Sequence, residues 1–286
     1  MTSPRHGLPP LLALLTLAGC GGSSPTPDIG GAIGDALICG LRNCTESATL
    51  NVDEISPRFT AMQAAGDGHI VVEGDLGKSA NVLTTVLIAP DERLSASVDG
   101  GTEVTLASPD GKRLNYAARI AAAGEQPVVR VVFTRGGTRH VSQVTLPAGF
   151  TVLQPTGSPL LTRSGAALPV RLSQATVGAA SASASGNCSR SDGSSFELKG
   201  TSLGARTETS VAGGYRLEPA AVDDSLNAAS RNANNNDART PAVTRCDLVV
   251  TWTAKATGSV APTMNGHGSL TGLRTASHPL SYDARL

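Results

Sequence analysis

The chain has very few aromatic residues. Phe, Trp and Tyr make up 3% of its 286 positions, and Trp252 is the single tryptophan. Sugar-binding faces and the girdles of membrane-spanning barrels rely on aromatic rings, so both readings lose support. An excess of charge is also missing, because 23 basic residues are matched by 23 acidic ones. A neutral chain with no Lys/Arg cluster has no bulk field to attract nucleic acid or anionic lipid, so no nucleic-acid partner is expected. No apolar run is long enough to cross a bilayer as a helix. There is no Gly-x-Ser-x-Gly elbow, no His-Glu-x-x-His, no phosphate-cradling glycine loop and no dinucleotide fingerprint. His140, His267 and His278 stand outside any motif. These absences leave no positive ground for an enzyme or a cofactor. They do not exclude one, since catalytic triads assemble across a fold rather than along a sequence.

The first twenty residues are informative. Arg5 and His6 give a weakly basic start, Leu11 to Ala18 form an apolar stretch, and small residues precede Cys20. This is the layout of a secretory signal. Leu17-Ala18-Gly19-Cys20 resembles the lipobox of bacterial envelope lipoproteins. The resemblance implies cleavage before Cys20 and acylation of its sulfur and new amino group, palmitate being a typical chain. Each buried methylene contributes about 0.8 kcal/mol, so two or more chains anchor stably where one binds marginally. Gly21 stands where an aspartate would favour inner-membrane retention, which points to the outer membrane, on its periplasmic or surface side. Gly21 to Pro27 has a linker's composition and reaches at most about 25 Å. The folded part is therefore expected close to the bilayer.

With Cys20 assigned to lipid, Cys39, Cys44, Cys188 and Cys246 remain. An even number in an exported chain implies two disulfides. Three connectivities are open, and proximity favours Cys39–Cys44 and Cys188–Cys246. The short loop would contribute roughly 2 kcal/mol and the long one roughly 4 on the chain-entropy model.

The hydropathy pattern is that of strands. Asp28 to Cys44 is a Gly-rich stretch compatible with a short helical turn inside a disulfide-closed cap. From Ser47 the period is two, with Ala48, Leu50 and Val52 alternating with polar residues. Short runs follow at His69 to Leu76, Val82 to Ala89, Leu94 to Val98, Glu103 to Ala107, Tyr116 to Ile120, Val128 to Thr134 and Val141 to Leu146. Turn chemistry at Asp99-Gly100-Gly101, Ser108-Pro109-Asp110-Gly111 and Arg135-Gly136-Gly137 separates some of them. A second series comprises Phe150 to Leu153, Leu168 to Ser173, Ala175 to Ser185, Ser195 to Lys199, Glu208 to Val211, Tyr215 to Glu218, Val243 to Ala256, Gly268 to Arg274 and Leu280 to Ala284. In the longest run, Cys246, Leu248, Val250, Trp252 and Ala254 share one face and form the strongest expected core stripe.

This spacing resembles that of immunoglobulin-like β-sandwiches. It departs from true immunoglobulin domains, because Trp252 follows Cys246 instead of lying between two cysteines. The expected organisation is all-β, with two tandem sandwiches. Residues 1–19 would be the signal and 20–46 the lipidated tether and cap. Residues 47–148 would form the first sandwich and 149–286 the second, with a long Asn-rich loop at 219–241.

Two polar groupings are candidates for chemistry. Asn232, Asn234, Asn236 and Asp237 present oxygens of the kind calcium takes, but without the glycine and distal glutamate of a dedicated loop. Asp67, His69, Glu73 and Asp75 cluster in sequence, and the last three would share a strand face. For both, a solvated polar surface is the simpler reading. The function expected is a non-enzymatic, lipid-anchored envelope protein acting as a binding or structural module, with an unknown envelope partner. The alternatives are a membrane-tethered hydrolase with residues assembled in the second half, and a calcium-stabilised, adhesion-like module.

Overall fold

The computed structural model describes residues 43–79, 81–174 and 180–286. The signal, the tether, Cys20 and Cys39 lie outside the described residues. The architecture is all-β, built from three sheets.

The largest sheet runs in the order β1 (Asn43–Glu46), β4 (Asn81–Leu87), β3 (His69–Lys78), β2 (Ile55–Ala64), β18 (Ser269–Asp283), β17 (Val243–Thr257), β13 (Ser181–Arg190) and β14 (Ser195–Ser202). Strand β7 (Tyr116–Ala121) adds to β3, and β11 (Leu160–Thr162) adds to β18. A second sheet has the order β6 (Val104–Thr105), β5 (Arg93–Val98), β8 (Val128–Arg135), β9 (Thr138–Thr145). A third has the order β10 (Val152–Gln154), β12 (Leu168–Leu172), β16 (Gly214–Leu217), β15 (Arg206–Glu208).

Two hydrophobic cores result. One gathers Ile55, Ile70, Val72, Leu76, Val129, Phe133 and Leu146 between the first half of the large sheet and the second sheet. The other gathers Trp252, Tyr282, Tyr215, Leu198, Leu217 and the cystine Cys188–Cys246 between the other half and the third sheet. Cys246, Leu248, Val250, Trp252 and Ala254 all point into this core, as a period of two requires. Gly136 and Gly137, both at positive φ, make the two-residue turn between Arg135 and Thr138.

The large sheet is continuous across the two cores. The first half of β18, Ser269 to Thr275, lies parallel to Arg58–Ala64 of β2, and Thr271 to Asp283 lies antiparallel to β17. Ala261, Met264 and Leu270 belong to the first core, though they come from the far end of the chain. Gln143 exchanges backbone hydrogen bonds with Ser259, which holds this C-terminal segment on β9.

Four local expectations are corrected. Residues 47–54 are not an alternating strand but two 3-10 turns, Ser47–Thr49 and Val52–Glu54. A capping box closes the second, with the Asn51 N–H donating to the Glu54 carboxylate at 2.9 Å. The strand comes next, as β2, where Pro57 and Arg58 hide the alternation. Glu208 to Val211 is mostly turn, with Gly214 N–H donating to the Val211 carbonyl at 2.9 Å. Gly268 to Arg274 and Leu280 to Ala284 are parts of one strand, β18. Strand β11 carried no separate expectation.

The fourth concerns 219–241, which is not a long loop. Residues Pro219–Ala233 form helix α1. Pro219 sits in the first turn, where its missing N–H costs nothing. Val222 and Leu226, one helical turn apart, are fully buried in the second core. Polar side chains complete the docking. Asn227 accepts the Val243 N–H at 2.9 Å, and Arg190 Nε donates to Ser230 Oγ at 2.8 Å. Buried Tyr282 donates its hydroxyl to Asp223, which also takes Arg163 at 2.8 Å. The helix was masked because Asp, Ser and Asn have weak helix propensity, and here tertiary packing outweighs it.

Candidate functional site

The site follows from how β18 is paired along its outer edge. Thr275 accepts the Ala65 N–H at 2.7 Å, where β2 ends. Ser281 donates its N–H to the Pro159 carbonyl at 2.9 Å, where β11 begins. Backbone groups of alternate strand residues face the same side, so Ser277 and Pro279 present theirs between these two points. Pro279 has no N–H to leave unsatisfied, which is why a proline is tolerated deep inside a long strand. Ser277 and Pro279 are exposed.

The gap opens into a cleft of about 660 Å³. Thr275 to Pro279 form its floor, Ala64 and Ala65 one end, and Thr151, Val152 and Pro155 to Gly157 the far wall. A smaller cleft of about 210 Å³ shares Ala64, Ala65, Thr151 and Thr275 with it and reaches Asp67, Gly149 and Arg274.

Two polar side chains give the clefts their chemistry. His278 is 6% exposed, and its Nδ1 lies 2.9 Å from the Pro279 carbonyl. A carbonyl can only accept, so Nδ1 carries the proton and Nε2 is an acceptor. That Nε2 is buried and has no hydrogen-bond partner among the described residues, and the same holds for the Trp252 indole N–H. Burial holds the His278 imidazole below the usual histidine range, and the Pro279 carbonyl opposes this only partly. Arg274 is 7% exposed. It donates to the carbonyls of Pro147 (3.1 Å), Gly124 (3.1 Å) and Glu125 (2.9 Å) and to the Gln63 side chain. All four acceptors are neutral, and burial lowers the guanidinium pKa.

The candidate residues read from sequence lie elsewhere. Cys188 and Cys246 are bonded across β13 and β17. Cys44 is in a disulfide, and Cys39, its expected partner, lies outside the described residues. Asn232 lies in the last turn of α1, and Asn234 caps its end. Asn234 donates to Thr240 Oγ1 at 3.0 Å, Asn236 has positive φ, and Asp237 accepts the Arg239 N–H at 2.9 Å. The acidic cluster is divided among separate partners. Asp67 meets His69 (3.3 Å) and Arg119 (3.0 Å), Asp75 meets Arg58 (2.7 Å), and Glu73 is exposed. Among the described residues, no three His, Cys, Asp or Glu side chains are grouped as a metal site. Among them too, no histidine is hydrogen-bonded to both a carboxylate and a hydroxyl or thiol.

Sequence reasoning missed Ser277, His278, Pro279 and Arg274. The one signal was the His278-Pro279 pair inside an otherwise alternating run. It falls in the interval between the expected runs Gly268 to Arg274 and Leu280 to Ala284.

His140 is also buried, with Nδ1 2.7 Å from Thr263 Oγ1. Burial, and then the charge of Arg135, hold it below the usual histidine range. A histidine lowered in the folded state adds stability above its unfolded pKa of about 6.5, and that stability is lost as the pH falls. The urea midpoint is therefore expected to drop between pH 7.5 and 5.5, and His140→Gln to shrink the drop. A midpoint that holds across this range would contradict the assignment.

No protein-family model matches the chain, and no curated protein matches it. Among solved structures, a chimeric titin Z1Z2 carrying a decorin peptide is 13% identical, covering 78% of this chain and 94% of that one, at a TM-score of 0.22. Tandem Ig repeats of Dlar are 12% identical over 79% and 97%, at 0.24. The adhesin InvE of Yersinia pseudotuberculosis is 10% identical over 80% and 60%, at 0.23. Likeness at these scores carries no argument, and the all-β architecture rests on the strands themselves.

Proposed function

We propose that this chain is a lipid-anchored protein of the cell envelope and acts as a non-enzymatic binding module. The observation that carries the binding role is the cleft where, among the described residues, β18 has no paired neighbour between Ala65 and Pro159. A strand edge left open there presents backbone groups to a partner. The anchoring rests on Leu17-Ala18-Gly19-Cys20 at the end of an apolar run. On this reading Cys20 carries the acyl chains, and the short linker keeps the cleft near the bilayer, at the outer membrane.

Metabolic labelling with an alkyne-bearing palmitate analogue tests the anchor. The native chain should label and sediment with membranes. Cys20→Ala should lose the label entirely and be retained as unprocessed precursor or released in soluble form. A native chain that stays unlabelled would overturn the anchoring. For the binding role, crosslinking in the native cell should join the chain to a partner through residues lining the cleft. Crosslinks that map only elsewhere would count against it.

A further inference from the structure

We propose that the cleft between the end of β2 and the start of β11 binds an extended peptide, which pairs its backbone with Ser277 and Pro279 and offers a carboxylate to Arg274. This deepens the binding role proposed above and rests on it.

Four observations support the inference. First, the floor of the cleft is a strand edge. The N–H and carbonyl of Ser277 and the carbonyl of Pro279 face the gap, and Pro279 contributes no donor. An extended backbone laid there meets one donor followed by two acceptors, backbone groups of the kind by which a peptide adds a strand to a sheet. Second, about 660 Å³ lies within the range of about 300–1,000 Å³ typical of ligand sites. Third, His278 lines the cleft and holds a buried acceptor, Nε2, with no partner among the described residues. A turn of the ring toward the cleft would bring Nε2 to a side-chain hydroxyl or amide N–H on the peptide, and burial makes an unsatisfied group costly.

Fourth, the adjoining cleft has a charge to match. Arg274 is buried among neutral oxygens, and four of the five N–H groups of its guanidinium are donated to them. Asp67, the carboxylate lining the same cleft, is engaged by Arg119 and His69. A ligand carboxylate would supply the counter-charge that the fold leaves out. An acidic extended segment fits both clefts, which share Ala64, Ala65, Thr151 and Thr275.

The test uses the full chain, immobilised, and a phage-displayed library of random heptapeptides. Clones carrying Asp or Glu should enrich above an uncoated surface. Ser277→Pro removes a donor that pairs with no strand among the described residues, so it should fold and lose at least tenfold in affinity for a selected peptide. Ser277→Ala keeps the backbone donor and should bind as the native chain does. Thr156→Trp fills the cleft from an exposed loop and should also abolish binding, which provides a second route should Ser277→Pro misfold. Replacing the selected peptide's Asp with Asn should weaken it severalfold. No enrichment, or full binding by Thr156→Trp, overturns the proposal. So does a stable dimer that Ser277→Pro or Thr156→Trp converts to monomer, which would make a second copy the occupant. Selection can fail while Cys20 still labels, so the two readings fail separately.

Discussion

Replacing Cys188 and Cys246 together with alanine is expected to cost about 4 kcal/mol of stability. The bond closes a segment of 58 residues that holds β14, β15, β16 and helix α1. Cys188 and Cys246 are direct cross-strand partners on β13 and β17, so the native strands are already neighbours without it. Its effect is therefore chiefly on the unfolded chain, whose freedom it restricts. Both sulfurs are also buried in the second core, so their removal leaves a small void beside Leu248 and Leu198. The check is a urea titration of the native chain and the double variant, with the reduced native chain as control. The reduced chain should fall close to the variant. A difference below about 1 kcal/mol would show that the bond constrains little.

The second large effect is expected from Arg135→Ala. Glu92 has 2% of its side chain exposed, and Arg135 Nε donates to it. The same guanidinium donates to the carbonyls of Leu50 (2.8 Å) and Ser47 (2.7 Å) and lies over the Phe133 ring. Arg135 thus ties the first 3-10 turn, Ser47–Thr49, and its cap Leu50 to the second sheet. Removing it leaves a buried carboxylate with only Ser47 Oγ and the Ala89 N–H. Breaking one side of a buried pair costs about 3–5 kcal/mol, because the remaining charge stays desolvated. Glu92→Gln combined with Arg135→Met should recover much of the loss, since neither charge is then stranded. Urea midpoints of the single and double variants decide it, and a double variant no better than Arg135→Ala would contradict this account.

The parts of the fold legible in sequence are those where one face of an element is buried and the other wet. The run from Val243 to Thr257 alternates cleanly, and its cysteine, leucine, valine and tryptophan fall into one core. The glycine pair at 136 and 137 declared its turn because two successive residues at positive φ call for glycine. Where a local signal opposes the tertiary result, reading fails. Pro57 and Arg58 obscured β2, His278-Pro279 split β18, and the asparagines around 232–236 suggested a loop where apolar Val222 and Leu226 nucleate a helix. The cleft is less legible still. It is a missing pairing between segments near residues 65 and 159, and no local pattern encodes a neighbour that is absent. Arg274 carries no local mark of its role, since its four acceptors come from residues 63 to 147, far along the chain.

Strand β18 lies at the seam, bonded to β2 of one core and to β17 of the other. A pull between an N-terminal tether and a partner in the cleft would load it along its length, in shear. Neither core can let go of β18 without the other losing a strand, so the two halves should resist tension and yield together.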